Sequence, residues 1–302
     1  MTVLNQLWKH FKTAEKAEGS GDNLKALEYY QKAAEGGIVP AMAACGNLYF
    51  RGGGGVEKNT DKAIQWFKKA ADCGNTAAMN NIGYIYGTLE NYEEALTWYE
   101  KSAALDNVTA MLNLSSVYKN QFQNKKIAAQ WLKKAENLKD SDSIREVAGF
   151  YAADAENDRQ INKAIKLYQK AIALGDVEAQ CELGDFYFHL EEFEDAQNCY
   201  REAAKSGNIG AMINLGMMLS YMPNGSSEAH YWLNKAANSG NSGALRVLGA
   251  FYEEREDYHS ALRTYRKAFH AGENVQEEIR RMKNKIKRGK FNYKLRALNV
   301  YD

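Results

Sequence analysis

The sequence predicts an all-α fold of stacked helical hairpins, about eight of them, and three observations carry the prediction. An alanine recurs near the start of a helical stretch at Ala26, Ala63, Ala95, Ala128, Ala164, Ala196, Ala229 and Ala261. Twenty residues after each of the first seven stands a small residue: Gly46, Gly83, Ser115, Ala148, Gly184, Gly216 and Gly249. From each small residue to the next alanine the gap varies, at 17, 12, 13, 16, 12, 13 and 12 residues. One connection per repeat is therefore fixed and the other is free to lengthen, which is how arrays of paired helices are built.

Each hairpin's second helix starts at a cap with acids in its first turn, as at Asn91, Glu93 and Glu94, where the helix dipole favours them. Ala95, Trp98, Tyr99 and Ser102 follow at i, i+3, i+4 and i+7 and share one face. Ala63-Trp66-Phe67-Ala70, Ala164-Leu167-Tyr168-Ala171 and Ala229-Trp232-Leu233-Ala236 repeat it, which puts Trp66, Trp98, Trp131 and Trp232 on a buried seam. Eleven residues past the alanine come Gly37, Gly74, Gly175, Gly207, Gly240 and Gly272, with Asp106 and Lys139 in the remaining two repeats. Glycine there supplies the left-handed backbone that ends a helix.

A turn of two to three residues opens the next hairpin's first helix, in which the small residue, Gly83 for example, admits the partner helix. The fixed length is expected to be the junction at which neighbouring repeats interlock. The longer versions of the variable loop run from Arg51 to Thr60 and around Ala153 to Gln160. Intervals between small residues of 37, 32, 33, then 36, 32, 33 suggest a duplicated triplet.

Composition narrows the function. The chain has 302 residues and a net charge of +1, with 45% apolar residues and two prolines, so neither nucleic acid nor an anionic membrane is called for globally. Residues 276–302 are the exception, with nine Lys/Arg against three Asp/Glu. Val275, Ile279, Met282 and Ile286 form an apolar stripe there, and the cations from Arg280 to Lys290 cover the rest. The expected organisation is a repeat array over 1–275 and a basic capping helix and tail over 276–302. The same basic face is the one hint of an acidic partner or nucleic acid.

No apolar run approaches the roughly 18–20 residues of a membrane span, and residues 1–17 lack the pattern of a secretory signal. Cys45, Cys73, Cys181 and Cys199 show no metal spacing and are expected as buried free thiols in a reducing cytoplasm. Gly52-Gly53-Gly54-Gly55 has no Lys-Ser/Thr after it and no strand before it, so it reads as a tight turn rather than a phosphate loop. His10, His189, His230, His259 and His270 are scattered. The pairs Glu191-Glu192 and Glu253-Glu254 read as solvated groups at hairpin turns. No catalytic, cofactor or metal residue is expected.

These residues resemble the Sel-one-like repeat, a variant of the tetratricopeptide repeat. The second hairpin carries the likeness best: Gly46, Tyr49, Gly52, Gly54 or Gly55, Val56, Lys62, Ala63, Trp66, Phe67, Lys69, Ala70, Ala71 and Gly74. The likeness covers about residues 10–275. It implies a right-handed superhelix whose first helices line a concave groove, with Asn47, Phe50, Asn80, Tyr84, Lys119, Arg145, Asp185, Phe188, Arg246 and Glu253 facing a partner. The Lys/Asn clamp that binds C-terminal carboxylates in ordinary tetratricopeptide domains is not reproduced beyond Asn47.

The function this implies is a non-enzymatic adaptor, bacterial and cytoplasmic, that binds another protein in its groove or along its loop edge. A narrower version is an immunity or regulatory protein that masks a toxin or enzyme. The competing expectation of another class is a β-lactam-binding hydrolase-like repeat protein. Regularly spaced cysteines and an S-x-x-K motif would mark it, and both are missing.

Overall fold

Each helix boundary in the array is set by local backbone chemistry, and the α4–α5 junction shows how. Gly74 takes φ +82°, its N–H donates to the Ala71 carbonyl at 2.8 Å, and the Asn75 N–H donates to the Ala70 carbonyl at 3.1 Å. This pair of reversed bonds closes helix α4 (Thr60–Asp72). The Asn75 side chain then accepts from the Ala78 N–H at 2.8 Å and opens helix α5 (Thr76–Thr88). Asn107, Asp176, Asn208 and Asn241 cap the equivalent first helices in the same way, at 2.8–2.9 Å. The invariant spacing thus encodes a stop and a start placed back to back.

The computed structural model describes residues 2–153 and 155–298, with side chains as far as Arg288. Among them are seventeen helices and no strand. They form two compact units, residues 1–170 and 171–302. In the first unit α1 (Val3–Gly19) pairs with α2 (Asn23–Glu35), α3 (Val39–Arg51) with α4, α5 with α6 (Tyr92–Ala103), and α7 (Val108–Asn120) with α8 (Lys125–Glu136). Then come α9 (Ser141–Ala153) and α10 (Asp158–Ala173), the latter running across the division; Asp154 lies outside the described residues. In the second unit the pairs are α11 (Val177–His189) with α12 (Phe193–Lys205), α13 (Ile209–Ser220) with α14 (Ser226–Asn238), and α15 (Ser242–Glu254) with α16 (Tyr258–His270). Helix α17 (Gln276–Leu298) packs on α16.

Where the small residue of a first helix is glycine, it meets a large residue of the second helix in its own hairpin. A Cβ on Gly83 would lie 2.6 Å from the Tyr99 ring, and on Gly46 2.6 Å from Phe67. The close approach therefore falls across the variable loop, while the constant junction is explained by the paired caps. Within each unit the helices on either side of such a junction also pack together, so the fixed spacing joins neighbouring repeats as expected.

The tryptophan seam needs correcting. Trp232 is buried, but Trp66, Trp98 and Trp131 are half-buried. The centre of the seam is the next position, where Phe67, Tyr99, Tyr168, Tyr200, Leu233 and Tyr265 are buried, while Leu132 is half-buried. One residue is about 100° of helix, enough to carry the indole to the edge. There a lysine one turn on covers each ring: Lys69 on Trp66 at 3.9 Å, Lys101 on Trp98 at 4.1 Å and Lys134 on Trp131 at 4.9 Å.

Three cysteines are buried free thiols as expected; Cys73, at the C-terminal cap of α4, is exposed instead. The glycine run makes a tight turn, with an isolated bridge between Gly53 and Val56. That turn is held to α2 by the Asn23 Nδ2 bond to the Gly53 carbonyl at 3.2 Å. Val275, just before α17, and Met282 on it are fully buried in the core of the second unit, and Ile279 packs beside them. Lys290 and the cations beyond it lie outside the described side chains.

Candidate functional site

The residue after the small position, and the one a turn further on, share the first-helix face. In the second unit those residues are Asp185 and Phe188 on α11, and they come together in one pocket. Its other walls are Tyr200 of α12, with Asn214, Met217, Met218 and Tyr221 on and just after α13, around a cavity of about 340 Å³. Phe188 is 45% exposed, Met217 39% and Tyr221 79%. Phe193 stands edge-on to Phe188 at 5.5 Å between centroids and extends the apolar rim.

The floor is polar and built. Asp185 Oδ1 accepts from the Tyr200 hydroxyl at 2.7 Å and from Asn214 Nδ2 at 2.9 Å. The second bond ties α11 to α13. Burial, then the bond to Asp185, pushes the Tyr200 hydroxyl well above the usual phenol range, so it stays a donor. An exposed aromatic and methionine wall over a fixed carboxylate can seat an apolar side chain and orient a donor beside it.

The first unit brings together a smaller set. Phe50 and Tyr84 stand edge to face at 6.0 Å, with Lys58 Nζ 5.4 Å from the Phe50 ring. Asn47 accepts from Asn81 Nδ2 at 3.4 Å and Asn80 from Asn113 Nδ2 at 2.9 Å, so both are spent on joining neighbouring first helices. Lys119 is exposed on α7, and Arg145 lies 3.4 Å from Asp142 on its own helix.

Arg246 and Glu253, also in the second unit, line a polar hollow that α17 closes. Glu253 is engaged from within rather than sitting as a solvated turn residue. Arg281 reaches its Oε2 at 2.7 Å, Lys285 its Oε1 at 3.2 Å, and the Tyr265 hydroxyl donates at 3.1 Å. The hydrogen bond from Arg281 is the main cause holding its carboxyl below the usual range. Arg246 lies 3.9 Å from Glu273.

Met217, Met218 and Tyr221 complete the pocket and were not among the expected contacts. A signal for Met217 exists: it follows Gly216 as Asp185 follows Gly184 and Tyr84 follows Gly83. Tyr221 lies past the last turn of α13, where periodicity says nothing. Among the described residues no group of three or more His, Cys, Asp or Glu is placed to hold a metal, and no helix is long and apolar enough to cross a membrane.

Paired helices with this repeat chemistry define a helical-repeat protein of the tetratricopeptide class, whose members serve protein–protein contact. Five stretches match the Sel1 repeat, at residues 17–38, 39–75, 108–140, 157–176 and 209–241, and two match a tetratricopeptide repeat, at 76–109 and 177–206. The chain belongs to the Sel1-like repeat proteins, with tetratricopeptide-type repeats interspersed. The pocket spans the tetratricopeptide-type hairpin α11–α12 and the first helix of the Sel1-type hairpin that follows.

The chain is similar to chitin synthase regulatory factor 3 of Schizosaccharomyces pombe, 26% identical over 250 residues, which are 76% of this chain but 23% of that protein. It is also similar to c5321, a protective antigen of uropathogenic Escherichia coli with an SLR fold. That likeness has 29% identity and a TM-score of 0.46, over 87% of this chain and 61% of that one. Yeast Tom70 aligns over 92% of this chain and 62% of its own, at 15% identity and a TM-score of 0.58, a likeness of fold alone.

Proposed function

We propose that the chain is a non-enzymatic scaffold that binds a partner protein through its first-helix face, anchored at the pocket around Phe188, Met217 and Tyr221. The observation that carries this is the grouping of three large exposed apolar side chains over the hydrogen-bonded Asp185. Binding energy at protein interfaces concentrates in a few such anchors. Phe50 and Tyr84 offer a second, smaller contact, and Lys119, Arg145 and Arg246 supply cations on the same kind of face. Repeats 1–275 form the scaffold in this reading, and 276–302 cap it. A reducing, cytoplasmic setting suits the buried free thiols of Cys45, Cys181 and Cys199.

The test is capture of partners on the immobilised chain and on a Phe188→Ser/Tyr221→Ser variant. It is followed by binary binding with the captured protein made separately. A partner that binds the first and not the second supports the reading. One that binds both equally refutes it. The S. pombe relative bears the name of a regulatory factor. A second version, in which the partner is an enzyme regulated by being held, draws its support from that name; the captured partner's activity with and without this chain tests it.

A further inference from the structure

We propose that the α11–α13 pocket takes an extended partner segment in which an apolar side chain is followed at once by arginine or lysine. This rests on the partner-binding reading above and specifies the chemistry of the occupant.

On the α11 wall and the α11–α12 turn the charge has one sign; at the far end of α13 Arg255 is bonded to the Ser220 carbonyl at 3.3 Å. From Asp185 to Asp195 the chain carries Asp185, Glu191, Glu192, Glu194 and Asp195 and no lysine or arginine. Helix α13, the facing wall, carries no charged side chain at all. The cations nearest along the chain are engaged elsewhere: Arg201 makes a two-pronged contact with Glu228 at 3.1–3.3 Å, and Lys205 pairs with Glu202 at 2.7 Å.

Asp185 itself is bonded by two neutral donors, both on Oδ1. Among the described residues no cation pairs with it, and its Oδ2 accepts no hydrogen bond. A guanidinium or ammonium group entering the pocket would find an acceptor already fixed in place. Phe188 and Tyr221 offer ring faces to the same cation, while Met217 and Met218 adapt to an apolar neighbour. A cavity of about 340 Å³ suits one or two side chains rather than a folded edge. An acidic segment would meet like charge on the α11 wall and at the α11–α12 turn.

The experiment uses the full chain with ¹³C-labelled methionine methyl groups and three probes: the N-acetyl amides of Gly-Leu-Arg-Gly, Gly-Leu-Gln-Gly and Gly-Leu-Glu-Gly. The arginine peptide is expected to shift the Met217 and Met218 methyl signals saturably. The glutamine peptide should bind about tenfold more weakly, the size of one charge-assisted hydrogen bond, and the glutamate peptide weaker still. Asp185→Asn keeps an Oδ1 acceptor for Tyr200 and Asn214, so it should fold as before yet lose the preference for arginine over glutamine.

Equal binding of all three peptides, no shift by the arginine peptide, or an unchanged preference in Asp185→Asn would overturn the proposal. A captured protein partner that depends on Phe188 and Tyr221 but not on Asp185 would leave the scaffold reading standing and remove this one.

Discussion

Gly249 and Tyr265 touch so closely that a methyl group on Gly249 would sit 2.6 Å from Cε1 of the ring, and the ring is only 2% exposed. The same contact recurs between Gly184 and Tyr200 and between Gly216 and Leu233. Gly249→Ala should therefore destabilise the second unit by about 1–3 kcal/mol through overpacking, although alanine is the better helix former by about 1 kcal/mol. Gly19→Ala, with nothing within 4 Å, is the control and should cost nothing. Thermal unfolding of the two variants decides it.

Tyr99→Ala and Trp98→Ala separate the two seam positions. Tyr99 is buried against Gly83, and its loss should cost about 3–5 kcal/mol by leaving a cavity. Trp98 stands half-buried under Lys101, and its removal should cost about 1–2 kcal/mol, from partial burial and one cation–π contact. Chemical denaturation that ranks the two the other way round would put the centre of the seam back on the tryptophan.

Glu253 makes the α17 contact sensitive to acid. Its carboxyl is held low by the Arg281 hydrogen bond, so its contribution is complete above the ordinary unfolded value of about 4.3 and fades as pH falls through the lower folded value. Amide exchange in α17 should be slower in the wild type than in Glu253→Gln at pH 7, and the difference should shrink below about pH 4. A difference that does not shrink at all as pH falls from 7 through the carboxylate range would show that the clamp does not hold the helix.

Thiol chemistry reads the cysteines one by one. Burial pushes Cys45 and Cys181 up to about 12 and Cys199 to about 11, whereas Cys73 is exposed. A thiol-specific disulfide reagent at pH 8 should label one cysteine rapidly and the other three only as the protein unfolds. Loss of the fast phase in Cys73→Ser confirms the assignment; its survival contradicts it.

The repeat architecture was legible because its signals are local. A stop residue, a cap and a helical stripe are written within a few positions, so the hairpins could be counted. Which of two adjacent stripe residues lies at the seam was not legible, since Trp98 and Tyr99 fit a helical face almost equally well and only the opposing Gly83 selects between them. Asp106 takes φ +58° where six other repeats use glycine, a left-handed conformation that aspartate adopts more readily than most residues. The Glu253–Arg281 pair spans 28 residues between two elements, beyond any local pattern. The pocket was half legible: Asp185 and Phe188 follow from the register, but Tyr221 closes it from beyond a helix end.

The most direct measurement is the affinity of a captured partner for the wild type and for Phe188→Ser, by surface plasmon resonance, with melting temperatures measured in parallel. If the first-helix pocket is the anchor, the single substitution weakens binding by about thirtyfold, the loss of one hot-spot residue, and leaves the melting temperature unchanged, because Phe188 is exposed. Unchanged affinity in a folded variant would contradict it.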